Sequence, residues 1–496
     1  MNVNPITRLD YPDPDVIRVE DTYYMVSTTM HFMPGCEILQ SFDLVHWEHA
    51  TYVYETLDHT DAQQLKSGQN IYGQGMWAAS LRYHEGRFYI CFVANDTRKT
   101  YLYTSEKIDG PWKKQLIEGF YHDGSLLFDE DGRNYIVYGN DEIWITELNE
   151  DLTAPKKDGL HRLLVSDHKN PELGYEGSHI QKINGYYYIF LIHSLRDRWM
   201  RTEACFYSDS LEGEFTGGDV LCDDRGYCGQ GVAQGGIVDT PDGKWYAMLF
   251  QDSGAVGRIP ILLPVTWKDH FPVFGQNGHV PEEIEVHSTR PGYIYQPLVG
   301  SDDFCNGLLP RWQFNHDPDP RYYHLDALQG TYTITTREVC TELTQAVNTL
   351  TQRMSYPSCA AEVTVDASAL KEGDVAGLCA FQGCYAAVGI TKHHGKYEVL
   401  MLDKKEDGIL DMTEGTVVES HQMDFRLEAD FCNMKDEARC YYRVNKGDWL
   451  PIGTVHKLYF KLDHFTGCRF GLFCYAAEET GGSACFRDFK YYDVDE

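Results

Sequence analysis

The sequence predicts an all-β protein in two parts, a five-bladed β-propeller over residues 1–295 and a β-sandwich over residues 300–496. Three observations lead there. A unit made of a turn, one or more aromatic residues and a short apolar strand recurs five times. Long helical periodicity is nearly absent. The recurrence then stops near residue 290, where a different strand pattern begins.

The five units are EDTYYMVS (20–27), HEGRFYICFV (84–93), DEDGRNYIVYG (129–139), INGYYYIFLI (183–192) and PDGKWYAMLF (241–250). Their turns carry Asp21, Gly86, Gly132, Gly185 and Gly243, spaced 65, 46, 53 and 58 residues apart. Four short strands with their turns need about 40–50 residues, the length of one propeller blade, and insertions lengthen some units. A large β-sandwich with similar turn spacing is the competing architecture. Between units, SFDLVHW, SEKIDGPW and SDSLEGEF read as blade-edge turns, each followed by an aromatic that packs between blades.

Around TRPGYIYQPLVGSDDF (289–304) a connector with Pro and Gly leads into alternating runs. CAAEVTVDA, YAAVGITK, KYEVLMLD and LYFKLDH each read as strands of a second all-β unit, with short polar turns such as KEGD and KHHGK.

Composition narrows the function. Of 496 residues, 75 are acidic and 43 are Lys or Arg, a net charge of −32. That disfavours nucleic acid and anionic membranes as partners and suits a small neutral substrate. The 34 Tyr suit carbohydrate-facing clefts and ordinary strands alike. No apolar run approaches the roughly 18 residues of a membrane span, and the N-terminal stretch does not read as a signal peptide. The 15 Cys are scattered and form no CxxC pair, so free thiols and a cytoplasmic location are expected.

A propeller aims side chains from the innermost strands of different blades at one end of its axis, so acids at equivalent places in successive units are catalytic candidates. Asp13 precedes the first strand between Pro12 and Pro14, whose fixed φ angles stiffen the segment; turn chemistry explains the same pattern. Asp10 and Asp15 beside it are expected to be ordinary turn and surface acids. Asp123 lies in YHDGSLLF, again just ahead of an apolar strand, where an Asx-turn with Gly124 is the competing reading. Glu176, in GYEGSHIQKINGYYYIF, has no special turn role to explain it.

Together YPDPDVIRV, YHDGSLLFDEDGRNYIVYG, YEGSHIQKINGYYYIF and GAVGRIPILLPVTW resemble glycoside hydrolase family 43, the β-xylosidases and α-L-arabinofuranosidases. The second part resembles the concanavalin-like sandwich that often follows the propeller there, through SDDF, WQFNHDPDPRYYHL and RFGLFCYAAEETGGSACFRDF. The resemblance implies an inverting exo-glycosidase acting on terminal xylosyl or arabinofuranosyl residues of plant cell-wall oligosaccharides. In it Asp13 corresponds to the general base, Glu176 to the general acid, and Asp123 to the Asp that orients the acid and tunes it. Inversion needs one carboxylate to activate water and one carboxylic acid to protonate the leaving oxygen. A further carboxylate near the acid opposes its ionisation. The resemblance also implies Trp77 and Phe32 in the sugar-site wall and Arg258 on the bound pentose; core packing competes for both aromatics. Gln234 is expected to line the channel.

Two positions depart from the family pattern. VAQGG puts Ala233 where relatives often carry a His that reaches toward a channel metal, often calcium. The expectation is a site that requires no cofactor, with a structural calcium ion the one metal left open. The usual Trp-Ala-Pro is here Trp77-Ala78-Ala79. Two other functions stay open on sequence: a noncatalytic carbohydrate-binding protein on the same folds, and a retaining fructan enzyme. Xyloside and arabinofuranoside are not ranked.

Overall fold

The computed structural model describes residues 3–493. Residues 15–274 form five four-stranded antiparallel sheets in chain order. Their innermost strands are Asp15–Val19, Met76–His84, Ser125–Phe128, Glu176–Ile183 and Val232–Asp239. In every blade the turn after the innermost strand is the one carrying the repeated residue. Glu85–Gly86 (φ 47° and 78°) and Asn184–Gly185 (φ 51° and 84°) put two consecutive residues in the left-handed region, which matches the twist of the flanking strands. Blade-edge turns hold Trp47, Trp112 and Phe215 between the third and fourth strands, and Trp47 and Phe215 are buried.

The ring is closed by the N-terminal segment. The N–H groups of Ile6 and Tyr11 donate to the carbonyls of Pro260 and Arg258 on blade 5, and the Asn4 side chain bonds both backbone groups of Leu262. The chain leaves blade 5 after Phe274 and runs back over blade 1. There Thr289 donates to the Phe42 carbonyl, and Arg290 pairs with Asp21 at 2.8 Å.

Residues from about 300 form two packed sheets around one apolar core that includes Leu378, Val388, Phe425 and Phe470. The two parts share a sheet. Blade 1 sends out the short strand Phe32–Met33, which pairs with Gln313–Asn315 at the edge of the larger sandwich sheet. A buried ion pair, Arg353–Glu37 at 2.9 Å, lies in the same interface.

Two expectations are corrected here. LYFKLDH is not a strand: residues 458–468 form a loop in which Phe465 takes φ 56° and donates its N–H to the Lys461 carbonyl. Asp10 and Asp15 are not surface acids, being only 4% and 0% exposed. Asp10 accepts from the N–H of Arg258 (2.7 Å) and of Gly467 (2.8 Å), tying blade 5 and the sandwich loop to the chain start. Asp15 points into the propeller axis, where Arg82, His179 and the Leu81 N–H bond its carboxylate. Among the described residues no helix is long and apolar enough to cross a membrane.

Candidate active site

The mouth of the axis holds a narrow pocket lined by side chains from all five blades and the sandwich. Asp13, Asp123, Glu176, Trp77, Gln234 and Arg258 meet there as the sequence suggested. Local backbone irregularity aims them. The innermost strands of blades 2, 4 and 5 shift register at the same level, between Met76 and Ala79, Glu176 and His179, and Ala233 and Gly236. A bulge bends its strand and re-aims a side chain, here Trp77, Glu176 and Gln234. Asp13, Asp123 and Gln234 sit at φ 53°, 47° and 60°, a region that costs a non-glycine residue about 1–3 kcal/mol and persists only where the surroundings fix it. Gly177, at φ 65°, has no room for a side chain: a Cβ would lie 2.7 Å from Gln234 Cγ.

Asp13 is 6% exposed and held on both oxygens. Arg258 Nη1 donates to Oδ1 at 2.8 Å and Thr28 Oγ1 to Oδ2 at 2.6 Å. Arg258 keeps Nε and Nη2 buried and unpartnered, donors left for a bound hydroxyl. Its guanidinium lies between Phe465 (4.2 Å) and Phe250 (5.3 Å). Across the pocket, Asp123 Oδ2 accepts the Gly177 N–H at 2.9 Å and so fixes the backbone beside Glu176. Burial, then the negative charges of Glu176 and Asp13, outweigh His122 and Gly177 and raise the Asp123 carboxyl to about 6. Glu176 Oε2 accepts from Asn140 Nδ2 at 2.7 Å and lies 3.4 Å from His122 Nε2.

Phe32 does not reach this pocket. Its ring is fully buried under Arg469 at 3.5 Å and packs with sandwich residues such as Phe381 and Tyr385, because its strand belongs to the sandwich edge. The wall is supplied instead by Phe465, 5.7 Å from Trp77. The sequence reading missed Phe465, whose segment alternates like a strand, along with Thr28, His122 and Arg201. Arg201 pairs with Asp252 at 2.6 Å and shares the Phe250 ring with Arg258. His122 stands next to Asp123 in YHDG, so its place beside the acid is visible in the chain.

A channel calcium ion does not fit the residues present. Ala233 lies in an apolar cluster with Ile192 and Phe250 and offers no ligand atom. Deeper in the axis the Arg82 guanidinium donates to Asp15 Oδ2 (2.7 Å), Ser125 Oγ (2.7 Å) and the carbonyls of Leu81, Leu126 and Ile180. Asp15 Oδ1 is taken by His179 at 3.1 Å. Against burial, Arg82 and His179 hold the Asp15 carboxyl below the usual range, so this level already contains a fixed cation. His122, Asp123 and Glu176 place one donor atom each within 4.8 Å of one another, but a metal there would keep Glu176 ionised and unable to give a proton.

Comparison with known proteins agrees with this geometry. Residues 3–272 match the model of glycosyl hydrolases family 43, and residues 301–492 match the beta xylosidase C-terminal concanavalin A-like domain. A beta-xylosidase of Formosa agariphila is 26% identical over 99% of this chain and 89% of its own. A solved bifunctional GH43-CE protein of Bacteroides eggerthii is 42% identical with a TM-score of 0.93; the match covers this whole chain and 64% of that longer one. A second solved structure, an engineered GH43 glycoside hydrolase with endo-xylanase and exo-arabinofuranosidase activity, is 27% identical over 99% of both chains, with a TM-score of 0.87. With more than half of its length matched by the catalytic-domain model and the three acids gathered at one pocket, the chain belongs to glycosyl hydrolases family 43.

Proposed function

We propose that this glycoside hydrolase removes single terminal β-D-xylosyl and α-L-arabinofuranosyl residues from short plant cell-wall oligosaccharides, with inversion and without a metal ion. One observation carries the reading: Asp13 and Glu176 enter the same pocket from different blades, and Phe465 of the sandwich spans from Trp77 to Arg258 beside them. A pocket walled by a second domain suits a chain end rather than a chain passing through.

Water held at Asp13 gives its proton to that carboxylate as its oxygen bonds the anomeric carbon. The glycosidic C–O bond breaks, and Glu176 gives its proton to the departing oxygen. Arg258 serves both base and substrate, anchoring Asp13 with Nη1 while Nε and Nη2 remain for sugar hydroxyls. Trp77 and Phe465 supply apolar faces for the ring. The fifteen cysteines are all free thiols, which supports a cytoplasmic enzyme working on imported oligosaccharides. The test is nitrophenol release from the β-D-xyloside and the α-L-arabinofuranoside, with the β-D-glucoside as control. Turnover of one or both pentosides and not of the glucoside is expected; inertness toward both pentosides in folded protein overturns the reading.

A further inference from the structure

His122 lies between the two acids of the general-acid pair, and nothing in the reaction as described uses it. Its Nε2 is 3.4 Å from Glu176 Oε2 and 3.5 Å from Asp123 Oδ2. The ring stands edge-on to Trp77 at 5.8 Å, and its backbone is fixed by the Gly139 N–H, which donates to the His122 carbonyl at 3.0 Å. Asn140, at the end of the next strand, donates to the same Glu176 oxygen.

Two donors converge on Oε2. A proton on that oxygen would face their hydrogens, so the proton that Glu176 gives away is best carried on Oε1. We propose that His122 is a positioning residue for Glu176: with Asn140 it fixes Oε2 as the accepting oxygen, and its positive charge opposes Asp123 in setting how firmly Glu176 keeps its proton. This rests on Glu176 being the general acid.

The charges around His122 support it. Burial works against its charged form, but Asp123, then Glu176, with Asp13 behind them, prevail and raise the imidazole to about 9. Arg258 and Arg201 are the other charged groups at the pocket. The two neighbouring carboxyl groups thus favour the imidazolium form of His122. A cation beside a carboxylic acid favours release of its proton, and an anion favours retention. Asp123 and His122 thus push the same acid in opposite directions.

The experiment compares pH profiles of kcat/KM for the wild type, His122→Gln, His122→Phe and Asp123→Asn on nitrophenyl xyloside and on xylobiose. His122→Gln, which keeps an N–H but not the charge, should move the alkaline limb upward by about one pH unit. Asp123→Asn should move it downward. His122→Phe should lose more activity on xylobiose, whose leaving group needs the proton, than on the nitrophenyl substrate. An alkaline limb that stays in place or falls in folded His122→Gln overturns the proposal. The Glu176 carboxyl titration, followed by carbon NMR in wild type and His122→Gln, reads the same shift without turnover. Failure of the glycosidase reading and failure of this proposal are therefore distinguishable.

Discussion

Arg258 reaches across the seam where the propeller ring closes and holds Asp13 at 2.8 Å. One residue opens the third strand of blade 5; the other precedes the first strand of blade 1. The position of Asp13, the proposed water-activating base, is thus set by ring closure, and the same guanidinium keeps two unpartnered nitrogens beside it. Asp13→Asn should lower kcat by about 10²–10⁴-fold or more with sugar binding largely kept, since a general base acts in the transition state. Arg258→Ala should instead raise KM as well as lower kcat. Steady-state kinetics with calorimetric binding of xylose separates the two; full activity in folded Asp13→Asn would return that segment to turn chemistry.

Asp10 gives a stability test at the same seam. Asp10→Ala strands the N–H groups of Arg258 and Gly467, both at buried positions of the loop and strand that flank the site. Each stranded donor costs about 1–3 kcal/mol, so urea unfolding should show a loss of at least about 2 kcal/mol. Activity should fall with it, because Phe465 lies two residues from Gly467. An unchanged unfolding midpoint would mean the Asp10 contacts are incidental.

Asp123→Asn should keep the fold and narrow the pH range of activity. Asp123, buried and raised to about 6, is an anion above that pH, and its charge opposes ionisation of Glu176. Without it Glu176 gives up its proton earlier, so activity is lost at lower pH on the alkaline side, by about one unit. Asparagine also keeps a carbonyl oxygen for the Gly177 N–H, so circular dichroism should be unchanged. A profile that overlays the wild type would leave Asp123 with a backbone role only.

The Arg82 guanidinium is a fixed cation beside Asp15 in the axis, and the consequence is measurable. Chelator treatment should change neither activity nor melting temperature. Arg82→Met should destabilise the propeller by several kcal/mol, because it leaves Asp15 buried without its guanidinium partner. Calcium-dependent activity or melting in the wild type would contradict the fit of these residues.

Much of this was legible in the chain. The five turns repeat because each blade needs the same reversal after its innermost strand, so Gly86, Gly132, Gly185 and Gly243 stand out. Asp13, Asp123 and Glu176 were legible because each stands at the mouth of such a strand. What stayed hidden depends on distant partners. Asp10 and Asp15 look like turn acids until Gly467, Arg82 and His179 come beside them. Phe32 and Phe465 exchanged roles: the first sits on a strand recruited by the sandwich, and the second lies in a loop whose alternation imitates a strand. The three bulges that aim Trp77, Glu176 and Gln234 have no signal in strand periodicity, although Gly177 and Gly235 permit two of them.

Asp13 is proposed to deliver water to one face of the sugar while Glu176 protonates the oxygen that leaves from the other, and the anomer first released reports this most directly. Proton NMR during hydrolysis of a β-D-xyloside, read before mutarotation, should show α-D-xylose appearing first and β-D-xylose only later. First-formed β-D-xylose would mean a retaining enzyme, with Asp13 attacking the sugar rather than water.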